Sequence, residues 1–159
     1  MALAIAPART AVDLADAAAL IREYVASLGI DLSFQGFDAE IVDLAAKYHP
    51  PVGELLLARG EDGAALGCVG VKALPGRPGA CEMKRLYLRD AARGTGAGRA
   101  LAEASIAAAR ALGYREMLLD TLSSMTPAVA LYRALGFESV SAYYVNPVPG
   151  AVYFRMALR

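Results

Sequence analysis

Between residues 93 and 99 the chain reads Arg-Gly-Thr-Gly-Ala-Gly-Arg, three glycines and two arginines set between a strand-like segment and a long alanine-rich segment with helical spacing. Glycine adopts dihedrals that a side chain forbids and leaves the backbone bare. The first turn of the following helix offers unpaired N–H groups and a partial positive charge to an anion. The stretch therefore reads as a phosphate cradle, and the pyrophosphate of a nucleotide-containing cofactor is its natural guest. From Lys84 to Arg99 five cations, Lys84, Arg85, Arg89, Arg93 and Arg99, stand against the single acid Asp90, which predicts a cationic rim.

What surrounds that turn is bounded by size and charge. A chain of 159 residues predicts one domain over 1–159, with a single core. Lys and Arg number 16, as do Asp and Glu, so the global basic field used by nucleic-acid and anionic-membrane binders is missing. The apolar start from Met1 to Ala6 is short, has no charged leading region and is broken by Pro7 and Arg9, unlike a secretory signal. No apolar run approaches the roughly 18–20 residues of a membrane span. Cys68 and Cys81 lie in apolar, strand-like segments and read as buried thiols, consistent with a cytoplasmic protein. One histidine, His49, and scattered acids predict no metal site.

Alternation predicts strands at Leu3–Arg9, Gly53–Arg59, Ala65–Leu74, Ala80–Leu88, Met117–Thr121, Glu138–Tyr144 and Ala151–Leu158. Helical spacing covers Val12–Leu28, Asp38–Lys47, Gly96–Leu112 and Pro127–Leu135, the third with Leu101, Ser105, Ala108 and Leu112 on one face. The fold class is thus α/β of the α+β kind, with about seven strands and about four helices.

Three kinds of nucleotide loop are separated by spacing. A P-loop needs a lysine and then Ser or Thr after its last glycine, whereas Gly98 is followed by Arg99 and Ala100. A dinucleotide fingerprint needs a third glycine where Arg99 stands, and too little chain follows the turn to wind a second half. The third kind fits: Arg93, Gly96 and Gly98 match Arg/Gln-x-x-Gly-x-Gly/Ala, and Leu131-Tyr132-Arg133-Ala134-Leu135-Gly136-Phe137 follows at the expected distance. Together these segments resemble the GNAT acetyltransferase superfamily, sharply over Cys81–Phe137 and in element order along the whole length.

The resemblance implies a splayed mixed sheet that holds acetyl-coenzyme A. It places the diphosphate on the turn formed by Arg93, Gly94, Thr95, Gly96, Ala97, Gly98 and Arg99, and pairs the pantetheine arm with the backbone of Leu86, Tyr87 and Leu88. Many members carry asparagine seven residues before the motif tyrosine; here that position is Met125, and Ser124 is the substitute contact. The resemblance makes Tyr132 the general acid and Glu82 the general base. The chemistry requires such a pair. An amine with a pKa near 10 is only about a thousandth neutral at pH 7, and a departing thiolate is stabilised by a donor that stays protonated there.

Strand alternation puts Glu82 on one face with Leu86 and Leu88 if no bulge intervenes, where apolar neighbours would raise its pKa; an ordinary ion pair with Arg85 or Lys84 is the alternative. Asp120 is a second carboxylate candidate, with a helix cap as its plainer role. By resemblance, Phe34, Phe37, Tyr143, Tyr144 and Asn146 flank the acceptor cleft; packing on a final hairpin is the alternative for the two tyrosines. The expected activity is acetyl transfer from acetyl-CoA to a small-molecule or peptide amine by direct attack in a ternary complex. A non-catalytic acyl-CoA-binding regulatory domain is the rival, and a homodimer through the C-terminal strands stays open.

Overall fold

Thr10 fixes where the first helix begins. Its hydroxyl accepts from the Asp13 N–H while the Asp13 carboxylate accepts from the Thr10 N–H, so two donors without helical partners satisfy one another reciprocally. The helix α1 (Ala11–Leu28) buries Ala17, Ala18, Leu20 and Ile21 and stops at left-handed Gly29. In the computed structural model, which describes residues 2–159, this helix lies on one seven-stranded sheet. The strands are β1 (Ala4–Pro7), β2 (Glu54–Arg59), β3 (Ala65–Ala73), β4 (Ala80–Leu88), β5 (Glu116–Leu122), β6 (Glu138–Val140) and β7 (Ala151–Ala157), in the order β1-β2-β3-β4-β5-β7-β6. Every neighbouring pair is antiparallel except β4 with β5.

Period-two alternation divides the core between two faces. Leu56, Val69, Val71, Cys81, Met83, Met117 and Leu119 pack beneath α4 (Ala97–Ala111) and α5 (Thr126–Leu135), with Leu101, Ile106 and Tyr132 from those helices. Leu55, Leu57 and Cys68 point the other way, toward α1 and the short helices α2 (Phe37–Val42) and α3 (Leu44–Lys47). On that face the Tyr48 ring lies against Gly70, where a Cβ would come within 2.7 Å of it. No helix among the described residues is long and apolar enough to cross a membrane. Cys68 and Cys81 are free and buried, and burial pushes both thiols up to about 12.

Element ends fall within two residues of the sequence reading, apart from two places. The expected helix Asp38–Lys47 is two helices, because Asp43 leaves helical geometry and caps α3 by accepting from the Ala46 N–H; among the described residues the α-helices are therefore five rather than about four. The expected strand Glu138–Tyr144 ends at Val140, and Tyr143 and Tyr144 occupy a loop. On α4 the buried stripe runs through Leu101, Ala102, Ser105, Ile106 and Ala109, leaving Ala108 and Leu112 half-buried.

A buried ionic cluster ties α2 to the sheet. Glu40, 3% exposed, accepts from Arg85 Nε and Nη2 at 2.9 Å each, from Lys47 Nζ at 2.6 Å and from the Tyr48 hydroxyl at 3.0 Å. Burial alone would raise the Glu40 carboxyl, but Arg85 and Lys47 outweigh it and hold the pKa at about 2. A carboxyl depressed in the folded state stabilises the fold above its unfolded value, and that contribution disappears as pH falls through the folded one. Glu40→Gln is expected to cost about 3–5 kcal/mol in urea unfolding at pH 7, since it strands buried cations. The gap from the parent should narrow as pH drops from about 4.5 toward 2. A gap that stays constant over that interval would remove this cluster from the stability of the fold.

Candidate active site

The site begins where two strands part. β4 and β5 pair only at Ala80–Glu116, Cys81–Met117 and Glu82–Leu118, and beyond these residues β4 presents an edge with no strand on the β5 side. A bulge in β4 accompanies the divergence: the β3 register shifts between Cys68–Tyr87 and Gly70–Lys84, and Arg85 takes a left-handed φ of 60°. The extra residue resets the alternation. Cys81 and Met83, followed by Leu86 and Leu88, face α4, whereas Glu82, Lys84, Arg85 and Tyr87 face α1 and α2. The expectation that Glu82 shares a face with Leu86 and Leu88 fails for this reason.

At the far end of β4 stands the glycine turn. α4 starts at left-handed Gly96 with no side-chain cap, and its first helical bond runs from the Ala100 N–H to the Gly96 carbonyl. The N–H groups of Ala97, Gly98 and Arg99 thus point out of the helix mouth without intrahelical partners. A Cβ on Gly94 or Gly96 would project into open space, at φ of 75° and 85°. Beside the turn runs a groove of about 550 Å³ lined by Leu86, Tyr87, Leu88, Arg93, Gly94 and Gly98, with Met125, Ala128 and Leu131 opposite. Bare amides, a helix mouth and an adjoining apolar groove fit a diphosphate with an extended arm.

Other residues expected here have different contacts. The Thr95 hydroxyl donates to the Ala92 carbonyl, Arg99 pairs with Glu103 on the exposed side of α4, and Ser124 sits in an exposed turn outside the groove. Met125 takes that place instead, lining the groove and the channel beyond it. The expected basic rim is largely neutralised: Arg85 is buried on Glu40, Lys84 lies between Glu82 and Asp120, Arg89 pairs with Glu23 and Arg93 with Asp90. Most of these acids come from distant parts of the chain, which a local charge count does not register. Arg93 also donates to the Leu88 carbonyl at 3.1 Å, at the strand end expected to pair with the pantetheine arm.

Tyr132 stands at the centre of the opening. It is 7% exposed, edge-on to Phe137 and tilted against Phe154, and it lines a narrow channel of about 90 Å³ with Leu86, Asp120, Met125 and Asn146. Burial first, then Tyr24 and Asp120, raise its phenol above the ordinary tyrosine value, so the proton is retained at neutral pH.

Beyond the channel lies a cavity of about 400 Å³ lined by Phe34, Gln35, Lys47, Lys72, Glu82, Lys84, Tyr143 and Tyr144. Gln35 and Lys84 belong to both spaces. Glu82 pairs with Lys72 at 2.8 Å and accepts from the Tyr143 hydroxyl at 2.7 Å. Burial would raise its carboxyl, but Lys84 and Lys72 outweigh that and hold it below its usual value, opposite to the upward shift that apolar neighbours would give. Asp120 caps no helix: it accepts from the Tyr144 hydroxyl at 2.7 Å and pairs with Lys84 at 3.3 Å. Asn146 and Gln35 both donate to the Tyr144 hydroxyl, and the rings of Tyr143 and Tyr144 pack edge-on against Tyr153 of β7, so the loop tyrosines are bonded into the site and also rest on the last hairpin without being strand residues. Phe37 lies under the Arg85 guanidinium on the α1 face, apart from the cavity-lining residues. Among the lining residues Gln35, Lys47 and Lys72 were missed by sequence reasoning; none belongs to a motif. His49 is exposed in its loop, with Nδ1 2.7 Å from the Pro50 carbonyl.

Residues 19–137 match the model of the acetyltransferase (GNAT) family. An uncharacterised N-acetyltransferase of Schizosaccharomyces pombe is 47% identical over 146 residues, covering 92% of this chain and 89% of the relative. Among solved structures, a GNAT-family acetyltransferase of Staphylococcus aureus superposes with a TM-score of 0.81 at 15% identity, covering 99% of this chain and all of that one. A phosphinothricin acetyltransferase of Sinorhizobium meliloti, solved in complex with acetyl-CoA, does so with a TM-score of 0.70 at 21% identity, covering 99% of this chain and 89% of that one. With the glycine turn, the parted strands and the buried tyrosine already in place, these matches establish that the chain belongs to the acetyltransferase (GNAT) family, the acyl-CoA-dependent N-acyltransferases.

Proposed function

We propose that residues 1–159 form one catalytic domain that transfers acetyl from acetyl-CoA to an amine by direct attack, with both substrates bound across the opening between β4 and β5. The observation that carries this reading is the continuity of three spaces. The groove at the glycine turn shares Tyr24, Leu86, Met125 and Ala128 with the channel at Tyr132, and the channel shares Gln35 and Lys84 with the polar cavity. Acetyl-CoA is the cosubstrate. Its diphosphate is assigned to the N–H groups of Ala97 and Gly98 and its arm to the open edge of Leu86–Leu88, which directs the thioester toward Tyr132. The buried free thiols support a cytoplasmic location.

The roles follow from the surroundings. Tyr132, raised by burial, keeps its proton through the neutral range and gives it to the departing thiolate. Glu82 stays ionised there, attracts the acceptor ammonium and accepts its proton through water. Backbone N–H groups near Leu88 stabilise the negative charge that develops on the acyl oxygen.

Three outcomes are expected. Tyr132→Phe should lower kcat by about 10²-fold or more while the acetyl-CoA dissociation constant, read by calorimetry, changes less than threefold; unchanged turnover would dismiss Tyr132 as the acid. Gly96→Val should weaken acetyl-CoA at least tenfold, because the side chain enters the space before the amides; equal affinity would move the diphosphate off this turn. Since Glu82 is already ionised at neutral pH, the rise of kcat/KM with pH should follow the pKa of each acceptor amine. An inflection fixed near 6–7 for acceptors of different basicity would assign the base to another group.

A further inference from the structure

The polar cavity and the residues behind it contain seven ionic groups, and their charges do not cancel. Lys47, Lys72, Lys84 and Arg85 face Glu40, Glu82 and Asp120. Arg85 takes both oxygens of Glu40, which Lys47 must then share, and Lys72 shares Glu82 with Lys84. Four cations against three carboxylates leave the cluster one anion short. The crowding is felt at Lys47: burial lowers its ammonium pKa, Glu40 opposes this, and Arg85 and Lys72 push it down further. A surplus cation in a partly buried cluster is costly until an anion joins it.

The surplus is on the outer side. The side chains of Lys47 and Lys72 are 21% and 16% exposed, against 5% for Glu82 and 8% for Lys84, which lie deeper, with Lys84 at the channel leading to Tyr132. Lys47 commits one of its three N–H donors to Glu40 and keeps the others free for the cavity. Apart from the Gln35 amide, which is bonded to Tyr144 and Arg85, the remaining wall is apolar or aromatic, from Phe34, Leu74, Pro75 and the rings of Tyr143 and Tyr144. The cavity therefore has a cationic entrance, an acid-bearing inner end and an apolar side.

From this polarity we infer that the acceptor is a small amine carrying a carboxylate, an α-amino acid with an apolar side chain, whose carboxylate completes the cluster at Lys47 and Lys72. The inference rests on the acyltransferase reading above and narrows its acceptor. Transfer balances simply: the amine nitrogen forms the amide bond, the carbon–sulfur bond of the thioester breaks, the amine proton leaves through water and the thiolate is protonated. The carboxylate takes no part in the bond changes and serves in binding alone. A polyamine would bring a second cation beside Lys47 and Lys72, where like charges repel.

The test uses the intact protein with acetyl-CoA and three series: L-leucine, L-methionine and L-phenylalanine, each with its primary amide and its decarboxylated amine, and spermidine as a trication. Thiol release should give at least one acid a kcat/KM ten or more times that of its amide. Lys47→Gln and Lys72→Gln should each reduce that acid-to-amide ratio at least tenfold, with acetyl-CoA affinity unchanged and Lys47→Arg restoring most of the preference. Amides or spermidine accepted as well as the acids would overturn the inference and leave the acyltransferase reading standing. Absence of acetyl-CoA binding by calorimetry would sink both. If no compound turns over, the acids are titrated into protein saturated with coenzyme A, and failure to bind at millimolar concentration also overturns it.

Discussion

The pair between Arg85 and Glu40 holds the site in its shape. Arg85 is the one non-glycine residue among those described with a positive φ, and it sits in the bulge where β4 turns away from β5. A left-handed arginine costs roughly 1–2 kcal/mol, and burying its guanidinium costs more unless a carboxylate meets it. Glu40 meets it with two bonds from α2, 45 residues earlier in the chain. Packing of α2 and the parting of the two strands are therefore parts of one arrangement.

The parting gives the sheet two working sides. Toward α4 and α5 the bulge directs Leu86 and Leu88, which form an apolar floor beside the amides of the glycine turn. Toward α1 and α2 lie Glu82, Lys84 and Arg85, which could not be buried singly: Glu82 is met by Lys84 and Tyr143, Lys84 also by Asp120, and Arg85 by Glu40. Apolar contact suits an extended thioester arm, and a network of charged groups suits an amine that must lose a proton. Tyr132 touches the space between them. A local rule of one extra residue in a strand thus separates the two chemistries.

Local signals in the sequence carried a good part of this. Alternation located β4 at Ala80–Leu88 to the residue, and the turn at Arg93–Arg99 and the Leu131–Phe137 segment marked one edge of the opening. The bulge was not legible, because nothing in the run Glu82-Met83-Lys84-Arg85-Leu86 distinguishes a continuous strand from one with an inserted residue; the decision lies with Glu40. The same distance effect misled the reading of the basic stretch, where Lys84, Arg85 and Arg89 are met by Asp120, Glu40 and Glu23 from distant elements. For Glu82 the ion pair with nearby Lys84 was within reach of the sequence, whereas Lys72 and Tyr143 arrive from other elements and carried no local sign. Tyr143 and Tyr144 looked like strand residues by composition, yet Asp120 and Glu82 draw their hydroxyls into the cavity.

In the proposed reaction a single opening receives the cofactor from the α4 side and the amine from the α2 side, with Tyr132 at the meeting point. A crystal structure with coenzyme A tests it most directly. Diphosphate oxygens are expected within hydrogen-bond distance of the Ala97 and Gly98 amides, and the sulfur in the channel beside the Tyr132 hydroxyl. A sulfur lying outside that channel, or a diphosphate bound away from the helix mouth, would contradict it.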